Sequence, residues 1–555
     1  MTTDGTTAER HVRFPREFAR RYVEAGIWQP RTIAGQFHAV ALAHPDRPAI
    51  VSEGSTMTFA ELDEVTDRRA AGLHELGLPA GGAVLLQVGN SVATVIAWYA
   101  LLKAGLIPVC TLTHHRRHEL SEIARQTRPV AHLVDAGYES ADLVALAGEL
   151  ADSAGDGRVV LVSGAAAESH GGLSFDQVGE GIDGAAARAT VEEVQSGLTE
   201  QSVAVFQLSG GTTGIPKVIP CLQAAYWSYA SEFAKAMRWS AADRVGYFGP
   251  VVHNAGTIIG LFGPHSVGAA AILGAPSYAS MLHLVTTQAP TCLPLAPFAY
   301  DAVFDEHFYA GGSLKQVLFW GRQVPRAHFE ALRDHGIWAG QVFGMSEGLC
   351  MTTPVDYPFD ARLSGVGVPI SALDEVRIVE PGTEVEVADG EVGEMIARGP
   401  YTIRGYFDAA DHNAKAFTED GFYRSGDLMR RMIVAGLPCY SVEGRIKDVI
   451  DRGGEKISTE EVEHLLVGHE EISEAALVPM PDARLGERAC AFVVGTGAGR
   501  VELADVQAHF AALGVAKYKW PERLEWLKEL PRVSDLGKID RKKLRVWASG
   551  LTPQR

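Results

Sequence analysis

Leu208-Ser-Gly-Gly-Thr-Thr-Gly-Ile-Pro-Lys217 follows directly on an apolar run of strand length, Val203-Ala-Val-Phe-Gln-Leu208. Its glycines, Gly210, Gly211 and Gly214, free the backbone to turn so that amide N–H groups converge on one point. Ser209, Thr212 and Thr213 add hydroxyl donors, and Lys217 adds a cation. Converging N–H and O–H donors with one lysine make an anion nest suited to phosphates. The loop is not a Walker A loop, because Lys217 follows Pro216 and precedes Val218.

On either side of this loop, strand-length apolar runs alternate with longer helical stretches. Ala83–Val88 reads as a strand, Ser91–Ala104 as a buried helix, and Leu106–Cys110 and Val159–Val162 as further strands. This βαβ rhythm predicts α/β architecture with parallel, helix-covered sheets. Gly164–Glu200, rich in Ala, Gly and Ser, reads as a surface excursion. From Leu373 to Tyr440, short strands alternate with turns such as Ala388-Asp-Gly390 and Glu419-Asp-Gly421, which predicts a β-rich subdomain. A mixed α+β pattern follows: a helix at Thr459–Val467, a strand at Glu474–Pro479, a helix at Leu503–Leu513 and a strand at Arg523–Trp526. The expected division is a large N-terminal domain, 1–445, and a small mobile C-terminal domain, 446–555.

With 555 residues the chain exceeds the size at which one core stops growing. Its formal charge of −18 (50 basic against 68 acidic residues) argues against a general nucleic-acid binder and against adhesion to anionic lipid. The six cysteines form no CxxC pair, so a disulfide scaffold or zinc cluster is not expected, and a reducing, cytoplasmic setting fits. The first 21 residues lack the pattern of a signal peptide. No membrane span, no internal repeat and no fused Ser-bearing carrier segment is read from the chain.

Further motifs follow the glycine-rich loop in order: Phe343-Gly-Met-Ser-Glu347, Gly365-Val-Gly-Val-Pro369, Tyr423-Arg-Ser-Gly-Asp427, Glu443-Gly-Arg-Ile-Lys-Asp448 and Gly537-Lys538. Together they resemble the adenylate-forming superfamily, from about Gln36 to Lys543, with Ser346 standing where that family usually has Thr. The resemblance implies ATP and Mg²⁺ as cofactors and a set of roles. Lys538 would bridge the acid carboxylate and the α-phosphate. Thr212 and Thr213 would meet the β- and γ-phosphates, and Glu347 would hold Mg²⁺; taken alone, Glu347 after Met345-Ser346 would instead mark a helix start. Phe343 would pack on adenine, within a wall formed by Val342, Gly344, Met345 and Ser346 with Gly321 and Arg322. Asp427 would accept from the ribose hydroxyls, and Arg445 would reach the ribose or phosphate side. Lys447 occupies the hinge position, since Lys538 must approach in one half-reaction and leave in the other. Gly453-Gly454 would face the incoming pantetheine arm.

The demand for cations follows from charge. Two anions about 4 Å apart repel by roughly 1 kcal/mol in water and about 4 kcal/mol at an effective dielectric of about 20. A site that joins a carboxylate to a phosphate therefore needs positive charge aimed at the transition state.

Within the superfamily, Gln207-Leu-Ser-Gly-Gly211, Gly399-Pro-Tyr-Thr-Ile-Arg-Gly-Tyr406, Glu419-Asp-Gly-Phe-Tyr423 and Asp451-Arg-Gly-Gly-Glu-Lys456 look most like the stand-alone aryl acid–AMP ligases of the 2,3-dihydroxybenzoate and salicylate type. His253-Asn254 matches too, which places His253 with Lys217 and Lys538 among the catalytic candidates and Asn254 beside the acid. The chain departs from that branch at Ala255 (usually aromatic), Ile259 (usually small and polar), Trp320-Gly321-Arg322 (usually Gly-Gly-Ala) and Cys350. Asn254, Ala255, Ile259, Trp320, Gly348 and Cys350 make up the expected acid pocket, while Arg322 is expected either at the ligand or in a surface ion pair. A pocket changed in this way should discriminate differently among substituted rings. The expected substrate is an aryl or heteroaryl acid other than 2,3-dihydroxybenzoate, for example an ortho-amino or ortho-hydroxy acid. The expected acceptor is a separate pantetheinylated carrier protein or CoA. A non-catalytic nucleotide-binding protein is the remote alternative.

Overall fold

The computed structural model describes residues 11–138, 142–164, 172–209, 216–320, 324–452, 455–482, 484–497, 499–513, 515, 517–533 and 538–554. The chain forms two compact units. The first comprises Met1–Leu363, Gly367–Glu375 and Ala397–Tyr423; the second comprises Ser364–Val366, Val376–Ile396 and Arg424–Arg555.

Two large sheets organise the first unit. The seven-stranded sheet runs, in spatial order, Leu173–Ser174, Val159–Ser163, Ala131–Asp135, Ala83–Gln87, Ile107–Cys110, Val203–Leu208 and Val218–Leu222. Its neighbours are parallel except for the last pair, an antiparallel hairpin. The nine-stranded sheet runs Val368–Pro369, Leu349–Thr352, Trp338–Met345, Gln316–Trp320, Cys292–Leu295, Arg244–Tyr247, Ala270–Leu273, Pro48–Ser52 and Ser55–Thr58. Strands such as Ala83–Gln87 and Ala270–Leu273 are buried at every position. Continuous apolar runs of this kind are what parallel sheets covered on both faces require.

Local chemistry sets the helices. Thr58 caps Phe59–Glu75 through a reciprocal capping box with Glu61, and Ser91 caps Val92–Lys103 by accepting from Thr94 N–H. These helices bury a charged cluster: Lys103 Nζ lies 2.6 Å from both Asp63 Oδ1 and Asp67 Oδ1, and donates to the Asp63 carbonyl at 2.8 Å.

Of the segment Gly164–Glu200, read as a surface excursion, residues 165–171 lie outside the described residues, and 184–196 form a helix packed within the first unit. Asp183 caps a helix, Gly184–Ser196, that buries Ala187 and Val191. Arg188 reaches Asp67 at 2.8 Å, and the Gln195 amide donates to the carbonyls of Leu102 and Lys103. An alanine-rich stretch looks featureless as a hydrophobic pattern, yet alanine has the highest helix propensity.

The β-rich stretch is borne out as a four-stranded sheet of Glu375–Val379, Val392–Arg398, Tyr423–Val434 and Leu437–Arg445. In the second unit, Glu455–Ser458, Val449–Arg452, Gly486–Gly495 and Ile472–Asp482 form a sheet that Arg523–Trp526 joins alongside Gly486–Gly495. Helices Thr459–Val467 and Leu503–Ala512 accompany it, close to the bounds read from the sequence. Among the described residues no helix is long and apolar enough to cross a membrane.

Candidate active site

The ends of the glycine-rich loop are stapled together. Ser209 N–H donates to the Lys217 carbonyl at 2.9 Å, and Lys217 N–H donates to Ser209 Oγ at 3.0 Å. Strands Val203–Leu208 and Val218–Leu222 pair antiparallel below them, with Leu208 opposite Val218. The loop thus sits on a hairpin neck, which fixes where Lys217 emerges. Gly210, Gly211, Thr212, Thr213 and Gly214 lie outside the described residues, as do Gly321, Arg322, Gly453, Gly454 and Gly537.

Lys217 Nζ stands over the ring of Tyr406, 5.6 Å from its centroid. The Tyr406 hydroxyl donates to Glu347 Oε1 at 2.7 Å and lies 2.9 Å from the Tyr423 hydroxyl. Burial, then the neighbouring Glu347 carboxylate, raises the Tyr406 phenol, so it remains a donor. Glu347 does not start a helix. It sits at the tip of a hairpin in which Met345 faces Leu349 and Gly344 faces Cys350. Gly348 closes the tip at φ +102°, where a Cβ would lie 1.9 Å from the Tyr401 carbonyl oxygen; only glycine satisfies both constraints.

One segment, Tyr401–Phe407, holds this tip and the loop exit together. Ile403 N–H donates to the Glu347 carbonyl, Thr402 Oγ1 to the Gly348 carbonyl, and Phe407 N–H to the Val218 carbonyl. Tyr401 stacks on Tyr229 with centroids 4.5 Å apart, and donates to Asp374 at 2.6 Å.

On the other side of the same tip lies Asn254. Gln207 donates to the Tyr226 hydroxyl at 2.9 Å and to the Val252 carbonyl at 3.2 Å; Tyr226 donates to Asn254 Oδ1 at 3.1 Å. The Asn254 amide reaches the Met345 carbonyl at 3.5 Å. His253 precedes it, and Ala255 leads into a wide-turn helix, Gly256–Phe262, that buries Ile259. Such turns are rare and are frequently found at functional sites. Trp320 ends its strand, and its carbonyl accepts from the Tyr300 hydroxyl at 3.0 Å. Val342 and Met345 are buried, Phe343 and Ser346 partly exposed, and Gly344 exposed. Cys350 is buried, which raises its thiol beyond ready ionisation.

The remaining expected residues belong to the second unit. Asp427 and Arg445 face each other across antiparallel strands, and Arg445 Nε lies 2.7 Å from Asp427 Oδ1. Lys447 lies in the short turn Ile446–Asp448 that joins strand Leu437–Arg445 to strand Val449–Arg452. Lys538 is exposed; Val533 N–H donates to its carbonyl, and Asp540 then caps helix Arg541–Ala548.

Among the described residues no group of three or more His, Cys, Asp or Glu side chains could hold a metal. Mg²⁺ is usually held by one or two carboxylates together with substrate phosphates. Glu347, partly exposed and oriented by Tyr406, is a carboxylate of the type that fits such a site.

Tyr226 and Tyr229 stand outside the strings singled out in the sequence, and Gln207, Tyr401, Tyr406 and Tyr423 stand inside them without an expected role. Tyr406 and Tyr423 stood in strings already singled out, but nothing in a linear string indicates that their hydroxyls meet.

Residues 37–407 match the AMP-binding enzyme family, and residues 461–538 match the AMP-binding enzyme C-terminal domain. A salicylyl-CoA synthase / salicylate adenylyltransferase from Streptomyces sp is 35% identical, over 98% of each chain. The 2,3-dihydroxybenzoate-AMP ligase of Bacillus subtilis (strain 168) is 33% identical, over 96% of each chain. Among solved structures, apo MbtA of Mycobacterium smegmatis is similar at 34% identity and a TM-score of 0.72, over 98% of this chain and 100% of that one.

Proposed function

This chain belongs to the AMP-binding enzyme family, and from that premise we propose an ATP-dependent ligase that activates an aryl acid as its acyl-adenylate and then passes the acyl group to a pantetheine thiol. The carrying observation is that one hairpin tip, Met345–Glu347, is gripped from two sides: Asn254 holds the Met345 carbonyl, and Tyr406, under Lys217, holds Glu347. An acid beside Asn254 and phosphates beside Lys217 then lie within two residues of one rigid turn. Adenylation needs that adjacency, because positioning and charge stabilisation supply most of the catalysis of phosphoryl-type transfers.

In the first step an acid carboxylate oxygen attacks the α-phosphorus, the bond to the β-phosphate oxygen breaks, and pyrophosphate leaves. Lys217 and the loop donors hold the departing phosphates, and Mg²⁺ on Glu347 would offset their charge. Lys538 bridges carboxylate and α-phosphate. Asp427 accepts from the ribose hydroxyls, with Arg445 beside it. In the second step a thiol sulfur attacks the acyl carbon, the bond to AMP breaks, and the thiol proton is released. Lys538 must then withdraw, and rotation at Lys447 of residues 446–555 against 1–445 accomplishes this. The turn at Ile446–Asp448 supports that placement, since a short irregular link can absorb a backbone rotation.

The acid pocket is built from Asn254, Ala255, Ile259, Trp320, Gly348 and Cys350, with His253 adjoining. Its substrate is an aryl or heteroaryl acid other than 2,3-dihydroxybenzoate. A separate carrier protein is the acceptor. CoA is the second reading, favoured by the name of the salicylyl-CoA synthase relative.

ATP–pyrophosphate exchange with a panel of aryl acids tests the reading; exchange confined to fatty or amino acids would refute it. Lys538→Ala should lower exchange by about 10²-fold or more, as loss of an aimed charge does, while transfer from pre-made acyl-AMP survives. Equal loss in both halves would overturn the role given to Lys538.

A further inference from the structure

A recess in the first unit opens at the C-terminal ends of three neighbouring parallel strands, Arg244–Tyr247, Cys292–Leu295 and Gln316–Trp320. Carboxyl ends of parallel strands are where open α/β sheets bind ligands. Its walls include Tyr247, Phe248, Gly249, Phe298 and Trp320. The walls are mostly aromatic and aliphatic, with one anomaly. Tyr247 is 1% exposed, and its hydroxyl has no hydrogen-bond partner among the described residues.

Glycines surround this side chain on both sides. A Cβ at Gly249 would sit 2.9 Å from the Tyr247 hydroxyl oxygen, so glycine there leaves room for the buried hydroxyl. The Gly249 carbonyl does not satisfy the hydroxyl either; it accepts from Asn90 Nδ2 at 2.7 Å. The ring also packs against Gly256 and Gly260, where added Cβ atoms would fall 3.0 Å and 2.6 Å from ring carbons. Those glycines lie on the helix that carries Ile259 and follows Asn254. Tyr247 therefore stands as a wall between the recess and the helix assigned to the acid.

Polar groups on that helix are few. Thr257 already donates to the Val251 carbonyl at 2.9 Å and Ile259 is apolar; just before the helix, Asn254 Oδ1 is taken by Tyr226 and Ala255 is apolar. A buried hydroxyl with no partner is destabilising, and its retention in a native structure calls for an explanation. A ligand atom is one that fits a recess beside the acid pocket.

We propose that Tyr247 determines specificity: its hydroxyl bonds a polar substituent or ring heteroatom on the edge of the aryl acid that lies beside Trp320. This deepens the aryl-acid reading above and rests on it. A phenol both donates and accepts, so a ring hydroxyl, ring amine or ring nitrogen suits it. Burial raises the phenol above its ordinary value, which keeps the proton in place at working pH.

The test measures ATP–pyrophosphate exchange on the full chain with benzoate, the isomeric hydroxy- and aminobenzoates and the pyridine carboxylates, for wild type and Tyr247→Phe. At least one polar acid should exceed benzoate in kcat/KM by about tenfold or more on wild type. In Tyr247→Phe that ratio should fall close to one. A ratio that is the same in both proteins for every acid overturns the proposal while leaving the ligase reading intact. No exchange with any aromatic acid overturns both. Thermal unfolding gives an independent readout: because the hydroxyl has nothing to lose inside the protein, Tyr247→Phe should melt no lower than wild type. A Tm lowered by several degrees would reveal a structural partner and also overturn the proposal.

Discussion

Lys103 and Lys217 place two ammonium groups in the same unit under opposite conditions. Lys103 is fully buried and meets two carboxylates at 2.6 Å, with Arg188 and His38 completing the cluster. Lys217 is partly exposed, has no ion pair among the described residues, and rests on the face of Tyr406. Where a charge is neutralised by its own fold, it joins helices. Where an aromatic face positions it and no carboxylate quenches it, its charge remains available to a ligand.

Substitution should separate the two most sharply in stability. Lys103→Met leaves two carboxylates facing each other in a buried site and should cost about 3–5 kcal/mol, measured by chemical denaturation. Lys217→Met should stay within about 0.5 kcal/mol of wild type, as exposed substitutions usually do. In exchange activity the order reverses: Lys217→Met should lose about 10²-fold, about 2.7 kcal/mol of transition-state stabilisation. If Lys217→Met unfolds the protein, or Lys103→Met leaves it as stable as wild type, the contrast collapses.

A smaller effect tests the link between Lys217 and Glu347. Tyr406→Phe keeps the aromatic face but removes the donor to Glu347, so exchange should fall about tenfold, about 1.4 kcal/mol. The Mg²⁺ concentration for half-maximal rate should rise with it. An unchanged Mg²⁺ dependence would cut Tyr406 out of the metal-facing arrangement.

The mildest case lies in the second unit, where Glu460 belongs to neither class. Burial, with Glu463 beside it, raises Glu460 to about 7, against the pull of Arg541. The unfolded chain gives up that proton near the ordinary carboxylate value. Between the two values the native state binds more protons, so this contribution to stability is complete below the ordinary value and is lost as pH rises through about 7. Glu460→Gln should flatten the pH dependence of unfolding between pH 5 and 8. An unaltered slope would show that the carboxylate titrates normally.

The charged motifs stood in the sequence because phosphate chemistry needs donors and glycines at close spacing. The antiparallel neck under the loop and the hairpin at Glu347 did not. Phe343–Glu347 alone suits a helix start as well as a strand end, and only pairing with Leu349–Thr352 decides between them. The helix Gly184–Ser196 escaped for another reason. Alanine fits both a loop-like composition and a packed helix face, and its burial depends on Phe59–Glu75 and Val92–Lys103, more than a hundred residues away for the first.

From the sequence alone came the α/β class, most strand positions, the phosphate-binding chemistry and the carboxylate and lysines able to serve it. These follow from local pattern and residue chemistry, which tertiary contacts do not rewrite. Tertiary structure alone determined that Tyr401–Phe407 straps the hairpin tip to the loop exit, that Tyr226 occupies Asn254, and that Tyr247 keeps a buried hydroxyl beside Trp320. Each is a meeting of side chains or backbone groups remote in sequence, and only chain closure around two sheets sets such distances.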